Sequence, residues 1–330
     1  MNTKILTILG PTATGKTDLA LMVAKKFNGE IISCDSRQVY KGLDIGTGKM
    51  PNAKLQITKG DSFWEINSIK VWMYDMVDPK KIYSVADYVK DANRVIGEIK
   101  DRGKLPIIVG GTGLYLRALL EGLDSLSIPI DKKLRTELQK LSLVELQEKL
   151  QEVDAKKWKK MNDSDRQNPR RLVRAIELAL SNHVGDPSVA TLPQDDKLRL
   201  EIIRSLSNVL KVGLTAPRDV LYKRVDEHVV FRINQGMIDE AKRLYKNSLS
   251  LKRMRQLGLE YGVLADYLEE KIKSKEGLIK ILQHKIHGYV RRQLTWFKKE
   301  KEVNWFDISD QDYIKKIEKL VSIWYDQSIE

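Results

Sequence analysis

Ile5-Leu6-Thr7-Ile8-Leu9-Gly10-Pro11-Thr12-Ala13-Thr14-Gly15-Lys16-Thr17 decides how the rest of the chain is read. The apolar, partly β-branched run over 5–9 predicts a buried strand, and Thr17 to Phe27 carries helical periodicity. Between them, Gly10 to Thr17 fits G-x-x-x-x-G-K-[ST]. Glycines let successive backbone N–H groups curl around an anion, and the helix that follows turns its positive end toward it. In such a loop Lys16 places a cation on the terminal phosphate and the Thr17 hydroxyl becomes a ligand for Mg2+. Strand, loop and helix occur in the required order, so Gly10, Pro11, Thr12, Ala13, Thr14, Gly15, Lys16 and Thr17 are read as a site for a diphosphate or nucleotide.

Outward from this loop the same alternation continues. Glu30 to Cys34 predicts a second strand ending in Asp35-Ser36-Arg37-Gln38, and Val71 to Val77 a further one. Ser84 to Arg102 predicts a helix with serine as its cap, and Leu105 to Val109 a buried strand running into Gly110-Gly111-Thr112-Gly113 with a helix from Leu114. Strands alternating with helices predict an α/β fold, a P-loop NTPase-like parallel sheet core with helices on both faces. After Gly122 the texture changes: Asp131 to Leu180 is helical throughout, and 182–197, with Gly185, Pro187 and Pro193, reads as a loop. Val209 to Leu214 returns to a sheet strand, and the remainder to about Tyr325 is read as helical and basic. The expected organisation is therefore a core of 1–123 and 209–330 carrying a helical insertion domain over 124–208.

Composition narrows the class. The 330 residues are 42% hydrophobic and 31% charged, which suits a packed globular chain rather than disorder. Cys34 is the only cysteine, so a disulfide framework is excluded. No run of 18 apolar residues exists to span a membrane. The apolar start is too brief for a secretion signal and runs directly into the loop, so a cytoplasmic location is expected. Lys and Arg number 58 against 45 Asp and Glu, net +13, a balance that favours a polyanionic partner.

The loop alone does not name the chemistry. A kinase or ATPase needs a base or water-positioning residue and usually a second acidic magnesium ligand. Asp35 and Asp75, each at a predicted strand end, have the right character for either role, and either can instead cap a helix.

The remaining segments discriminate. Asp-Ser-Arg-Gln-Val-Tyr at 35–40, Asp-Ile-Gly-Thr-Gly-Lys at 44–49, Gly-Gly-Thr-Gly-Leu-Tyr at 110–115, Asn-Pro-Arg-Arg-Leu-Val-Arg-Ala-Ile-Glu at 168–177 and Arg-Gln-Leu-Thr-Trp-Phe at 292–297 follow the loop in order. Together the chain closely resembles the bacterial tRNA dimethylallyltransferases, also called tRNA isopentenyltransferases, from Ile5 to about Phe306. The resemblance implies transfer of a five-carbon group from dimethylallyl diphosphate to the exocyclic N6 amine of adenosine 37, 3′-adjacent to the tRNA anticodon. The loop then holds the departing diphosphate, with Lys16 and a Mg2+ ion on Thr17 balancing its charge. Carried over by position, Asp35 matches the base that accepts the amine proton, and Thr112 matches a threonine between amine and diphosphate. Ser36, Arg37 and Gln38 match the strip that holds the extruded adenosine.

For tRNA contact the resemblance points to Arg135, to Gln167-Asn168-Pro169-Arg170-Arg171 and to Arg255-Gln256-Leu257-Gly258. The residues themselves agree for the second group: Lys156 to Arg174 holds eight Lys and Arg against two Asp, a phosphate-neutralising face. A second basic stretch, Arg291 to Lys301, contains Trp296 and Phe297, whose spacing reads as core. The expected partners are the tRNA anticodon stem-loop and dimethylallyl diphosphate, with no membrane, and the chain is expected to act as a monomer.

The chain departs from the family pattern in three places. Val71-Trp72-Met73-Tyr74-Asp75 stands where His-His-Leu-Ile-Asp is usual. His228 stands where an arginine is expected to help hold the diphosphate, with Arg224 one turn earlier as its replacement. Gly258-Leu259-Glu260 replaces Gly-Tyr-Lys/Arg. The competing readings are a small-molecule P-loop kinase, dimethylallyl transfer to free AMP or ATP, and a tRNA-binding protein without turnover.

Overall fold

The computed structural model describes residues 4–50, 55–123, 126, 128, 130–183 and 208–327. The chain divides into two units, 1–121 with 203–330 and the intervening 122–202.

The larger unit is built on one eight-stranded sheet. Its strands are β1 (Lys4–Leu9), β2 (Gly29–Ser33), β3 (Ile57–Lys59), β4 (Phe63–Ile66), β5 (Ile69–Trp72), β6 (Leu105–Gly110), β7 (Asn208–Thr215) and β8 (Val303–Asp307), in the order β3-β4-β5-β2-β6-β1-β7-β8. From β5 to β8 every pairing is parallel, whereas β3, β4 and β5 pair antiparallel. β1 lies between β6 and β7, so its residues Ile5, Leu6, Ile8 and Leu9 are buried from both sides. This is why the opening stretch reads as a continuous apolar run.

Helices cover both faces, as the alternation predicts. Helix α1 (Lys16–Lys26) packs Leu19, Val23 and Ala24 on the side to which Leu6, Ile8, Ile107 and Val212 point. Helix α2 (Val85–Asp101) lies against β6 and β2 from the other, and α3 (Gly113–Leu120) packs on α2. Ser84 caps α2 in a capping box with Asp87.

Two expectations need correction. The strand foreseen over Val71 to Val77 stops at Trp72, because Met73 and Asp75 take left-handed backbone angles, φ 69° and 55°. The C-terminal region is not helical throughout: β8 adds a parallel edge strand beside β7. The hairpin of β3 and β4 was also not read from the sequence. The loop expected over 182–197 lies, from 184 on, outside the described residues.

The rest of the larger unit is a helical layer of α9 (Arg218–Asn234), α10 (Met237–Lys246), α11 (Leu251–Leu257), α12 (Leu259–Leu268) and α13 (Lys275–Phe297), numbered after the helices of the other unit, with α14 (Tyr313–Asp326) behind the sheet. Their core includes Leu221, Val225, Val229, Leu278, Leu282 and Val290. The smaller unit is all-helical: α4 (Lys132–Leu138), α5 (Leu143–Val153), α6 (Ala155–Lys160), α7 (Asp163–Arg166) and α8 (Pro169–His183) enclose Leu138, Leu146, Leu150, Leu172 and Ile176.

Candidate active site

The C-terminal ends of β1, β2 and β6 converge on a cavity of about 200 Å3, where ligands sit in open α/β sheets. The loop after β1 forms its floor. Gly10 adopts φ 143°, and a Cβ there would lie 2.3 Å from the Leu214 carbonyl oxygen, so only glycine fits. Gly15, at φ 81°, turns the chain into α1. Thr14 donates its hydroxyl to the Pro11 carbonyl at 2.9 Å, and Lys16 donates to the same oxygen at 2.6 Å. Burial pulls the Lys16 ammonium down to about 8, partly opposed by the Asp35 carboxylate.

The turn after β2 faces this loop. Cys34 is buried, its amide bonded to the Val109 carbonyl at 2.7 Å, and the Thr112 amide bonds back to the Cys34 carbonyl. A Cβ at Gly110 would strike that carbonyl at 2.1 Å, so glycine lets the two turns meet. Thr112 then accepts the Ser36 amide on its hydroxyl at 3.2 Å. Asp35 accepts the Arg37 and Gln38 amides at 2.8 and 3.4 Å, both on Oδ1. Gln38 donates to the Thr47 carbonyl at 3.2 Å. Arg37 lies 5.3 Å from the Tyr289 ring centre and pairs with Glu260 at 3.3 Å.

Helix α9 brings a cationic edge, with Arg224, His228 and Arg232 spaced at four residues and all lining the cavity. Arg224 stands beside Gly15: a Cβ there would be 3.8 Å from its guanidinium. His228 is held neutral: burial, then Arg232 and Arg224, pull it down to about 4, against Glu227. It therefore supplies no positive charge near neutral pH. Arg232 donates to the Gly46 carbonyl at 3.2 Å and pairs with Glu260 at 3.6 Å.

Asp75 does not line the cavity. Its Oδ1 takes the fully buried Lys49 ammonium at 2.5 Å and its Oδ2 the Trp64 indole at 2.6 Å. Lys49 also reaches Asp44 at 3.1 Å and the Tyr40 carbonyl at 2.7 Å. The 44–46 backbone is pinned from the other side by Glu240, which accepts the Asp44, Ile45 and Gly46 amides and the Tyr261 hydroxyl. Asp75 thus anchors the 35–49 segment, whatever replaces the four residues before it.

Lys16, Thr17, Asp35, Arg37, Gln38, Arg224 and His228 line the one cavity, with Thr112 on the turn beside it. The residues singled out for tRNA contact stand elsewhere. Arg255 is paired with Asp266 at 2.9 Å and with Glu269, and Leu257 is buried in the helical core. Gln256 is exposed, and Gly258, at φ 78°, joins α11 to α12. In the smaller unit, Arg135 and Arg174 both pair with the buried Glu177, Arg135 through two hydrogen bonds. Gln167 and Arg170 are exposed; Asn168 caps the Arg170 amide at 3.1 Å ahead of Pro169, and Arg171 pairs with Asp165. Sequence reasoning missed Arg232, Glu260, Tyr289 and Gln293 as lining residues. The one signal for Gln293 was a polar side chain in the buried stripe Val290 to Phe297.

The chain is similar to known proteins along nearly its whole length. A family model described as IPP transferase matches residues 38–300, and one described as Isopentenyl transferase matches residues 3–63. A tRNA dimethylallyltransferase of Halothermothrix orenii is 36% identical over 319 residues, 95% of this chain and 90% of that protein. The tRNA dimethylallyltransferase 2 of Treponema denticola is 38% identical over 302 residues, 90% and 94% of the two chains. The crystal structure of the full-length tRNA isopentenylpyrophosphate transferase of Bacillus halodurans matches with TM-score 0.67 at 32% identity, covering 99% of this chain and 98% of that one. With family models over most of its length and relatives above 30% identity end to end, the chain belongs to the IPP transferase family.

Proposed function

We propose that the protein is a tRNA dimethylallyltransferase that moves the dimethylallyl group of dimethylallyl diphosphate onto N6 of adenosine 37 in the anticodon stem-loop. The observation that carries this reading is that Asp35 and the anion-binding loop line a single cavity, with Thr112 beside them. A kinase reading gives Asp35 a role as base but leaves Thr112 beside it without one.

In the reaction the amine nitrogen forms a bond to the allylic carbon, the carbon–oxygen bond breaks, and its electron pair leaves with the diphosphate. Asp35 accepts the amine proton. The Thr112 hydroxyl, oriented by the Ser36 amide, donates toward the leaving side. Loop amides, Lys16 and Arg224 meet the growing negative charge. The Thr17 hydroxyl suits Mg2+, which takes one or two protein oxygens and completes its shell with substrate phosphate and water. When bound there, the ion offsets diphosphate charge.

The basic run Lys156 to Arg174, with Arg170 and Arg171 exposed, supports tRNA affinity from the smaller unit. The tRNA acceptor supports a cytoplasmic site of action. Nucleoside mass spectrometry of tRNA incubated with the protein, Mg2+ and dimethylallyl diphosphate tests the reading. One C5H8 unit gained on adenosine, with diphosphate released and ATP untouched, is the expected result. ATP-dependent phosphorylation of a metabolite, or prenylation of free AMP only, overturns it.

A further inference from the structure

Two of the three backbone segments that carry the chemistry leave the sheet from neighbouring strands. β1 and β6 pair in parallel as far as Leu9 and Gly110, and there the ladder ends. Beyond it, a side chain joins them. Gln293, buried on α13, accepts the Thr12 amide on Oε1 at 2.9 Å and donates through Nε2 to the Gly111 carbonyl at 3.0 Å. The fit is tight: a Cβ at Gly111 would lie 2.4 Å from that Nε2 and 3.3 Å from the Gly10 carbonyl oxygen. The same helix continues the contact on either side. Tyr289, four residues earlier, lines the same cavity, and the Trp296 ring lies where a Cβ on Gly113 would fall. A primary amide suits this place because it accepts on one side and donates on the other. Glutamate keeps only the acceptor, and methionine bridges neither group.

We infer that Gln293 is a positioning residue for the transfer step, setting the separation between the loop that holds the departing diphosphate and the turn that carries Thr112. This rests on the transferase reading above. In this reading the diphosphate is held by the loop, and the tRNA by the 36–38 strip and the smaller unit, so neither binding event depends on the separation of loop and turn. The transition state spans both, with nucleophile and leaving group in line, and it does depend on it. Interactions that matter only there appear in the rate and not in ground-state affinity.

The test compares single-turnover transfer with equilibrium binding of each substrate alone, in wild type, Gln293→Met and Gln293→Glu. A displacement near 1 Å costs on the order of 10²-fold in rate, so both variants are expected to lose that much. Their affinities for dimethylallyl diphosphate and for tRNA are expected to stay within about threefold of wild type. Gly111→Ala, which leaves Gln293 chemically intact but displaces its amide, is expected to show the same split, and it decides the matter if Gln293→Met does not fold. A folded Gln293→Met that transfers at the wild-type rate overturns the inference, as does a loss of both affinities in proportion to the rate. A wild-type protein that transfers nothing to tRNA overturns the reaction itself, a result separable from either.

Discussion

The Lys16 ammonium donates to the Pro11 carbonyl oxygen at 2.6 Å, so the anion-binding loop holds its own lysine in place. Burial brings that ammonium down to about 8. Below this pH it is charged and exchanges the Pro11 carbonyl for a diphosphate oxygen; above it the charge is lost. The ratio kcat/KM for dimethylallyl diphosphate reports ionisations of the free enzyme, and it is expected to decline as pH rises through about 8. Lys16→Arg should carry that limb to higher pH, and a limb left in place assigns it to another group. Lys16→Ala and Thr17→Ala should each cost on the order of 10²–10³ in turnover.

Asp35 makes its backbone hydrogen bonds through Oδ1 alone. Asp35→Asn can keep those bonds while losing the base. Its single-turnover rate should fall by roughly 10²–10⁴, with tRNA affinity unchanged in a filter-binding or fluorescence titration. A near-normal rate would make Asp35 a turn-forming residue only.

Asp75 and Lys49 form a buried ion pair, and the sequence alone left Asp75 open as a magnesium ligand. Lys49→Met leaves Asp44 and Asp75 without their shared cation, a change that typically costs about 3–5 kcal/mol and should appear as a lower urea midpoint. Asp75→Asn should lower stability in the same assay while leaving the Mg2+ concentration for half-maximal activity where it was. A shift in that concentration would return Asp75 to the metal site.

Arg170→Ala with Arg171→Ala should raise the tRNA dissociation constant and flatten its dependence on salt. Each phosphate contact contributes a slope of about 0.7–0.9 in log–log terms. Arg171 already pairs with Asp165, so the larger share should come from Arg170. Dimethylallyl diphosphate binding should not respond. Unchanged tRNA affinity and slope would mark this face as merely solvated.

What the sequence disclosed was what short segments determine by themselves. The glycine loop, the buried strands 5–9 and 105–109 and the Ser84 cap are local, and each stands where its residues require. The β3–β4 hairpin escaped notice because strands of three and four residues, with Lys59 and Glu65 among them, leave too short a pattern to register. β8 is an edge strand whose Asn304 and Trp305 face solvent, so it lacks the continuous apolar run of the inner strands. Arg232, Glu260 and Gln293 act through partners about 180 to 280 positions away in the chain, and no local spacing reveals such a meeting. His228 shows the limit most plainly: its neutrality follows from two arginines on its own helix and from burial, of which only the first could be read.

The placement of β1 between β6 and β7 has a consequence for how the protein is made. Ribosomes deliver the chain from N- to C-terminus at roughly 5–20 residues per second, so the glycine loop emerges ahead of every helix and strand that packs around it. Its surroundings come far later. Leu214, whose carbonyl crowds Gly10, belongs to β7, and Gln293, which holds Thr12, is later still. Strands β2 to β6 can pair while synthesis continues, but the anion loop stays open on one side until α13 has been made. A nascent chain therefore carries the fingerprint of the enzyme long before it can act as one, and translation that halts before residue 293 leaves Thr12 and Gly111 without the amide that bridges them.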